Sequence, residues 1–383
     1  MADNQNVDEL IAEVHAITEA PQEPERPREM PAKKTGAGRR LLGFFGKLMI
    51  VLLETVLLAA VALYGVMYVL AKGPSPTARD LFVLSVRETS AIGFLADLFF
   101  TEEEIAQIEA QVGEEEFEDT DTSLIVIPDP TEPSGTEGPQ PDAWGLVDED
   151  GDGIIVEPVS GEGYNGYMMV VLDPSRVIMA SKVESFGIRG YTVAQMVEEF
   201  DAVAGINAGG FYDPNGQGNG SIPDTMVVYG GQIYYPEYGV GQGFVGIDSQ
   251  HILHVGRPTV SDIREQDIQY GVGFGPVLVS NGEAAPTYAS GVNPRTGIGQ
   301  RSDGAILMLV IDGRQVSSLG ATYQDMTEIF LAFGAVNACN LDGGSSSMMW
   351  YQGDYINNCA SVVGIRPVPT TFLVLKEGVS TDG

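Results

Sequence analysis

Cysteine, histidine, tryptophan and positive charge are all scarce in this chain. Its 383 residues include two Cys, three His and two Trp, and 20 Lys and Arg stand against 53 Asp and Glu. So few thiols and imidazoles cannot build a Cys/His zinc cluster, and no metal site of that kind is expected. His15 precedes a long apolar run, while His251 and His254 share the alternating stretch HILHV. A Ser-His-Asp machine would have to recruit a strand histidine. The net charge of -33 excludes a nucleic-acid partner, because such a binder needs a basic face for phosphates. The deficit is uneven. Residues 1–72 hold 8 basic and 9 acidic residues, which leaves 73–383 with a net of -32. A body this acidic stays soluble and is repelled by anionic surfaces.

One long apolar run is present. Residues 48–71, LMIVLLETVLLAAVALYGVMYVLA, carry a single charge, Glu54. At 1.5 Å per residue they span about 36 Å, against ~30 Å for a bilayer core. Lys33, Lys34, Arg39, Arg40 and Lys47 precede the run, which places the N-terminus in the cytoplasm and residues 73–383 outside. A leader cleaved after Val69-Leu70-Ala71 is the competing reading. The long preamble and the length of the run favour an uncleaved anchor. The expected organisation is a disordered cytoplasmic tail (1–47), a transmembrane helix (48–71), a helical stalk (72–112), an acidic Pro- and Gly-rich linker (113–153) and a β-rich domain (154–383). The stalk carries a capping box, Thr101 with Glu104. The expected localisation is the cell membrane, single-pass, with the C-terminal domain extracellular. In that compartment a Cys339–Cys359 disulfide and two buried free thiols are both compatible with the spacing.

Two motifs mislead. DEDGDG puts Asp148, Asp150, Asp152 and Gly153 at calcium-loop positions 1, 3, 5 and 6, but Val159 stands where the loop needs a bidentate Glu. It reads as the acidic end of a linker. GVGFGP (271–276) leads into an apolar strand and not a helix, so it reads as turn chemistry and not a nucleotide loop. No metal or cofactor is expected.

The domain contains a repeat. Shifted by 130 residues, GYTVAQMVEEFDAVAGINA (190–208) lies on GATYQDMTEIFLAFGAVNA (320–338), with eight of nineteen positions identical and no gap. Each copy opens on a Thr N-cap, Thr192 or Thr322. Apolar stripes at helical spacing follow: Met196, Val197 and Phe200, then Met326, Ile329, Phe330 and Phe333. Upstream, MMVVLDPSR (168–176) resembles LMLVIDGR (307–314). Each half therefore reads strand, acid turn, helix, strand, Gly-Gly. That pattern predicts a duplicated unit whose strand ends face a shared cleft. The fold class expected is α+β, β-rich, with mixed sheets and a few helices. VVYGGQIY (227–234) and Asn281-Gly282 predict tight hairpin turns.

The strand ends carry the candidate chemistry. Asp312 closes LMLVI and Asp342 closes VNACNL. Paired carboxylates are the equipment for cutting a glycosidic bond. Gly343 and Gly344 permit close backbone approach, and Ser345 and Ser346 add donors suited to an oxyanion such as a phosphate. Arg295, beside Thr296 in NPRTGIG, is placed for a bidentate phosphate contact. Its other reading is a salt bridge to one of the many acids.

INAGGFY (206–212), NPRTGIG (293–299), VIDGR (310–314) and NLDGGSSSM (340–348) resemble, in this order, the signature blocks of the phosphodiester glycosidase family. The resemblance covers roughly 160–376 and ends in IRPVPTTFLVL. It implies an α+β fold and a glycoside hydrolase acting on a sugar joined through C1 to a phosphodiester. On that reading Asp342 is nucleophile or base, and Asp312 assists. Arg295, with Arg314, neutralises the departing phosphate. Asn207, Gly209 and Gly210 hold sugar hydroxyls or the second ester. Thr296, Gly343, Gly344, Ser345 and Ser346 complete the substrate-binding set. The function expected is a membrane-anchored extracellular glycosidase releasing an N-acetylglucosamine-like sugar from cell-envelope polysaccharide. Its expected partners are a sugar-phosphate or polysaccharide substrate and the membrane, through 48–71. The alternative is a non-catalytic glycan-binding or exopolysaccharide-assembly protein that keeps the fold.

Overall fold

A computed structural model describes residues 37–89, 92–109, 120–128, 140–286, 289–361 and 364–378. The expected tail as far as residue 36, and residues 113–119 and 129–139 of the expected linker, lie outside them. The chain divides into two units, one up to Val66 and one from Met67 onward. Helix α1 (Ala37–Lys72) starts ahead of the apolar run. Its Phe44–Lys72 portion is the one helix among the described residues long and apolar enough to cross a membrane.

The second unit opens with three short helices, α2 (Pro76–Arg87), α3 (Phe94–Asp97) and α4 (Glu102–Glu109). Ser75 caps α2 by accepting from the Ala78 N–H, and Pro76 takes the first helical position, where no N–H is needed. At α4, Glu104 N–H donates to Thr101 Oγ1 at 3.2 Å and Thr101 N–H to Glu104 Oε2 at 2.8 Å, so the predicted box forms. The helices close on an apolar cluster that includes Val83, Leu84, Ala96, Phe100, Ile105 and Ile108.

Three sheets follow, and adjacent strands are antiparallel throughout. The first runs β1 (Ile154–Gly161), β2 (Tyr164–Val171), β13 (Ile306–Ile311), β12 (Arg295–Arg301), β14 (Ala335–Leu341), β10 (Val277–Ser280), β11 (Glu283–Ala284). The second runs β16 (Asp354–Tyr355), β15 (Met349–Tyr351), β4 (Ala202–Asn207), β17 (Thr370–Leu375), β3 (Val177–Ser181). The third runs β6 (Gln232–Tyr234), β5 (Val227–Tyr229), β9 (Ile268–Gly273), β7 (Phe244–Asp248), β8 (Leu253–Gly256). The predicted hairpin turns sit between β5 and β6, where Gly230 and Gly231 both have positive φ, and between β10 and β11, at Asn281-Gly282.

Helices α5 (Val193–Glu199), α6 (Val260–Glu265) and α7 (Tyr323–Ala332) each start with a Thr in a complete capping box. The α+β class is thus as expected. All three sheets share one core. Strand β13 shows why its sequence is a continuous apolar run: Ile306, Met308 and Val310 enter that shared core. Leu307, Leu309 and Ile311 face the opposite side, toward Met326, Ile329 and Phe330 of α7. Burying a side chain such as Met326 or Phe330 contributes about 1.5–3 kcal/mol. The glycines of NPRTGIG serve this packing: a Cβ on Gly297 would stand 2.9 Å from both Met326 Cε and Phe330 Cε2. On the far face of the second sheet, Val193, Met196 and Val197 of α5 pack in the equivalent way.

The helix–strand repeat is therefore structural. The order β3-β17-β4 over α5 matches β13-β12-β14 over α7. The upstream match is a correction. MMVV lies in β2, which is the neighbour of β13, with Met169 opposite Met308; the equivalent of β13 is β3. Any strand covered on both faces reads as an apolar run. Asp173 is the cap of the 3-10 turn that follows, accepting from Ser175 N–H at 2.9 Å.

Candidate active site

The ends of β4 and β14, equivalent strands of the two halves, meet. Asp342 N–H donates to Ala208 O at 2.9 Å, and Asn207 Nδ2 donates to Asp342 O at 2.5 Å. Asn207 Oδ1 accepts from Thr296 Oγ1 and from Met348 N–H, both at 3.0 Å. This buried knot fixes the backbone of Asp342 at the wall of a cavity of about 580 Å³. Asp342 to Ser346 form one wall. Phe211, Asp213, Asp224 and Phe274 form another, and Asn293, Arg295, Arg314 and Tyr323 a third. Glu88, Thr89 and Ile92, from the end of α2 and just beyond it, close the side.

Two carboxyls in this cavity are held up. Burial pushes Asp342 up to about 7; the Asp224 and Asp213 charges add to the rise, while a Ser346 hydrogen bond and Arg366 oppose it. Burial also raises Asp224. Its carboxylate opens to the cavity and occupies space that Gly210 leaves free, since a Cβ there would stand 2.7 and 2.8 Å from its two oxygens. Among the described residues no other side chain pairs with it. Burial by itself would raise Asp213 too, but Arg366 and the Gly218 N–H outweigh it and hold that carboxyl low.

Three guanidiniums line the cavity, and they differ. Arg366 grips Asp213 in a fork, at 2.7 and 2.8 Å, and donates to Ser345 Oγ at 3.1 Å. Arg295 is buried. It bonds Glu88 at 2.7 Å, Ala321 O at 3.0 Å and Gly291 O at 2.6 Å, and lies over the Tyr323 ring. Arg314 has no carboxylate within 4 Å among the described residues; it donates to Thr89 Oγ1 at 2.7 Å and Asn293 Oδ1 at 3.1 Å. Desolvation and the Arg295 charge disfavour its cation, against the pull of Glu88. An anion arriving there relieves that cost. The cavity thus combines two carboxyls able to hold or release a proton with one cation free to meet an oxyanion.

The model of the phosphodiester glycosidase family matches residues 200–375. Residues 200–375 thus form a phosphodiester glycosidase-like domain. An SPbeta prophage-derived uncharacterized protein of Bacillus subtilis, YomE, is 33% identical over 205 residues, which cover 50% of this chain and 30% of that protein. The chain therefore spans under a third of that relative. The catalytic domain of zebrafish N-acetylglucosamine-1-phosphodiester alpha-N-acetylglucosaminidase, solved auto-inhibited by its pro-peptide, is 19% identical. The match covers 58% of this chain and 82% of that one, with a TM-score of 0.47. A hypothetical protein from Synechocystis is 16% identical over 58% of this chain and 61% of its own, with a TM-score of 0.42.

Within the phosphodiester glycosidase-like domain, Asp342, Arg295, Arg314, Gly343, Gly344, Ser345 and Ser346 all line the cavity. Asn207, Thr296, Gly209, Gly210 and Asp312 are not among its lining residues. Asn207 and Thr296 belong to the buried knot, and Gly209 N–H donates to Thr370 Oγ1 at 2.9 Å. Asp312 is buried and committed elsewhere. Its Oδ1 accepts from Asn357 Nδ2 at 3.2 Å and Asn358 N–H at 2.9 Å, and its Oδ2 from Asn358 Nδ2 at 3.2 Å. The acid that faces the cavity with Asp342 is Asp224, not Asp312. Sequence reasoning missed it because SIPDTM reads as a Pro-Asp turn. It also missed Asp213, Arg366 and Glu88. Arg366 sits in IRPVP, the last block of the family resemblance, and that was the available signal.

The remaining motifs are not among the lining residues, although Cys359 Sγ donates to Ser345 O, at the cavity wall, at 3.3 Å. Both thiols are free; Cys339 is buried in the shared core and Cys359 is half-buried. His254 is buried and bonds Asp248 at 2.9 Å. Asp148, Asp150 and Asp152 bring oxygens within 4.8 Å of one another. Asp148 already accepts from Gly151 and Gly153 N–H, and Asp152 from Ile154 N–H.

Proposed function

We propose that this protein is a membrane-anchored glycosidase that releases a sugar from a phosphodiester linkage in cell-envelope polysaccharide, with Asp342 as general base and Arg314 receiving the phosphate. The observation that carries this reading is one cavity holding a carboxyl poised near neutrality, a second raised carboxyl and an uncompensated guanidinium. A carboxyl near 7 suits proton transfer better than a permanent anionic role. Asp342 takes a proton from water as the water oxygen bonds to the sugar C1. The C1–O bond to phosphorus breaks, and its electron pair leaves on the phosphomonoester. That leaving group is a good one, so little acid help is needed, and Arg314 meets the charge that develops. Asp224 orients a sugar hydroxyl or the water. Phe44–Lys72 is the anchor, and the acidic body keeps clear of the anionic membrane surface.

The test uses the full-length chain in detergent, incubated with UDP-N-acetylglucosamine and with a methyl phosphodiester of N-acetylglucosamine 1-phosphate. Free sugar detected by mass spectrometry is the expected result. Tight binding of the diester with no sugar released refutes catalysis and leaves a glycan-binding protein.

A further inference from the structure

Glu88, Thr89 and Ile92, at and beyond the C-terminal end of α2, lie outside the family match, yet they line the cavity. Ser85 Oγ accepts from Val292 N–H at 2.9 Å. The fit is flush at Gly291, where a Cβ would stand 2.3 Å from the Ser85 backbone. Glu88 then receives three donors. Its Oε1 accepts from Gly291 N–H at 2.9 Å, and its Oε2 from Asn293 Nδ2 at 2.9 Å and Arg295 Nη2 at 2.7 Å. With α2 seated the cavity still measures about 580 Å³, so this segment lines the site without filling it.

Charge bookkeeping around the cavity is then simple. Glu88 cancels Arg295, and Asp213 cancels Arg366. Arg314 is left as one uncompensated cation, held by the neutral oxygens of Thr89 and Asn293 and lining the same cavity as Asp342 and Asp224. A phosphodiester carries one negative charge. A phosphomonoester, with its second pKa near 6, carries about two at neutral pH. One cation pairs with the single charge of the first and leaves the second charge of the other unpaired in a partly desolvated site.

We propose that Glu88 is a specificity-determining residue: by neutralising Arg295 it leaves a single positive charge in the cavity and selects a phosphodiester monoanion over a phosphomonoester dianion. The same mismatch expels the phosphate product once the sugar is cut. This rests on the phosphodiester reading above for its substrate class. Glu88→Gln keeps the shape of the side chain and frees a second cation.

The experiment measures calorimetric binding of N-acetylglucosamine 1-phosphate and of its methyl phosphodiester at pH 8. It uses full-length protein in an Asp342→Asn background, so that no sugar is released during titration. The diester should bind at least about tenfold tighter than the monoester, and Glu88→Gln should narrow or reverse that ratio by about tenfold. Adding Arg295→Gln to Glu88→Gln removes the freed cation and should restore the original preference. A merely structural Glu88 would make the double variant worse than the single one. An unchanged ratio, an equal loss for both ligands, or no restoration overturns the proposal. If the unsubstituted chain releases sugar while the ratio ignores Glu88, only the charge role fails. If the ratio follows Glu88 and no sugar is released, only the hydrolysis reading fails. If neither phosphate binds, both fall.

Discussion

The two halves of the domain share a frame and differ at one turn. Each presents a Thr-capped helix, α5 or α7, packed on a central strand, β4 or β14, that ends in a glycine pair. After β14 the turn is Asp342-Gly343-Gly344, and it lines the cavity. After β4 it is Ala208-Gly209-Gly210, and it supplies support and space. Ala208 O accepts the Asp342 N–H, and Gly210 leaves room for the Asp224 carboxylate. A duplicated scaffold sets two strand ends against each other. One end is then free to present a carboxyl to the cavity because the other buttresses it.

The largest expected effect breaks this comparison at its active end. Asp342→Asn should lower sugar release by about 10²–10⁴-fold, the range for losing a general base, with the circular dichroism spectrum unchanged. In the unsubstituted protein, activity should fall on the acid side of pH about 7, where Asp342 takes up its proton. Stability moves the other way. The folded carboxyl sits near 7 against 3.8 for an unperturbed Asp, so the folded state binds the proton more tightly. Its favourable contribution is present below about 4 and is lost as pH rises to 7. Asp342→Asn should therefore melt higher than the parent at pH 8, and the gap should close at pH 4.

Crowding the supporting end should come next. Gly210→Val pushes into Asp224 and Phe274 and should cost about a hundredfold in turnover, as expected for displacing a positioned group by an ångström. At the matching turn, Gly344 has φ +62 and a Cβ would stand 3.2 Å from Arg314 Nη2. Gly344→Ala should cost about 1–2 kcal/mol of stability from backbone strain alone. Urea melts and sugar release, measured on both variants, separate the two effects.

The repeat also offers a matched pair of buried amides. Asn207 joins the two strand ends, whereas Asn337 donates to Leu253 O at 3.1 Å and accepts from Asn281 N–H at 3.0 Å, apart from the cavity. Replacing either with Ala should destabilise by about 2–3 kcal/mol, because buried partners are left unpaired. Only Asn207→Ala should lower turnover in the fraction that remains folded. Smallest and symmetric are the caps: Thr192→Ala and Thr322→Ala should each cost about 1 kcal/mol and leave the kinetic constants alone.

Legibility in the sequence followed the range of the interactions. Helices α4, α5 and α7, their Thr caps and the two glycine hairpins were readable because each is decided within a few residues. The glycines of NPRTGIG were visible but their use was not, since they seat Met326 and Phe330 from a helix about thirty residues on. Asp312 and Asp342 looked alike, each ending an apolar strand. Their difference lies in what arrives from elsewhere: Asn357 and Asn358 engage the first, while the second keeps company with Asp224. Arg295 stood equally well for a phosphate contact or a salt bridge. Glu88, 207 positions away, made it a salt bridge and left Arg314 as the open cation.

By itself the sequence determined the β-rich α+β class, the apolar helix, the repeated helix–strand unit, the family resemblance and the carboxylate most worth testing. These depend on periodicity, turn chemistry and ordered motifs, all written locally. Only the tertiary structure decided which second acid shares the cavity, which guanidinium stays uncompensated and that the segment ending α2 contributes a wall. Charge compensation and burial are properties of spatial neighbours, and here those neighbours come from segments far apart along the chain.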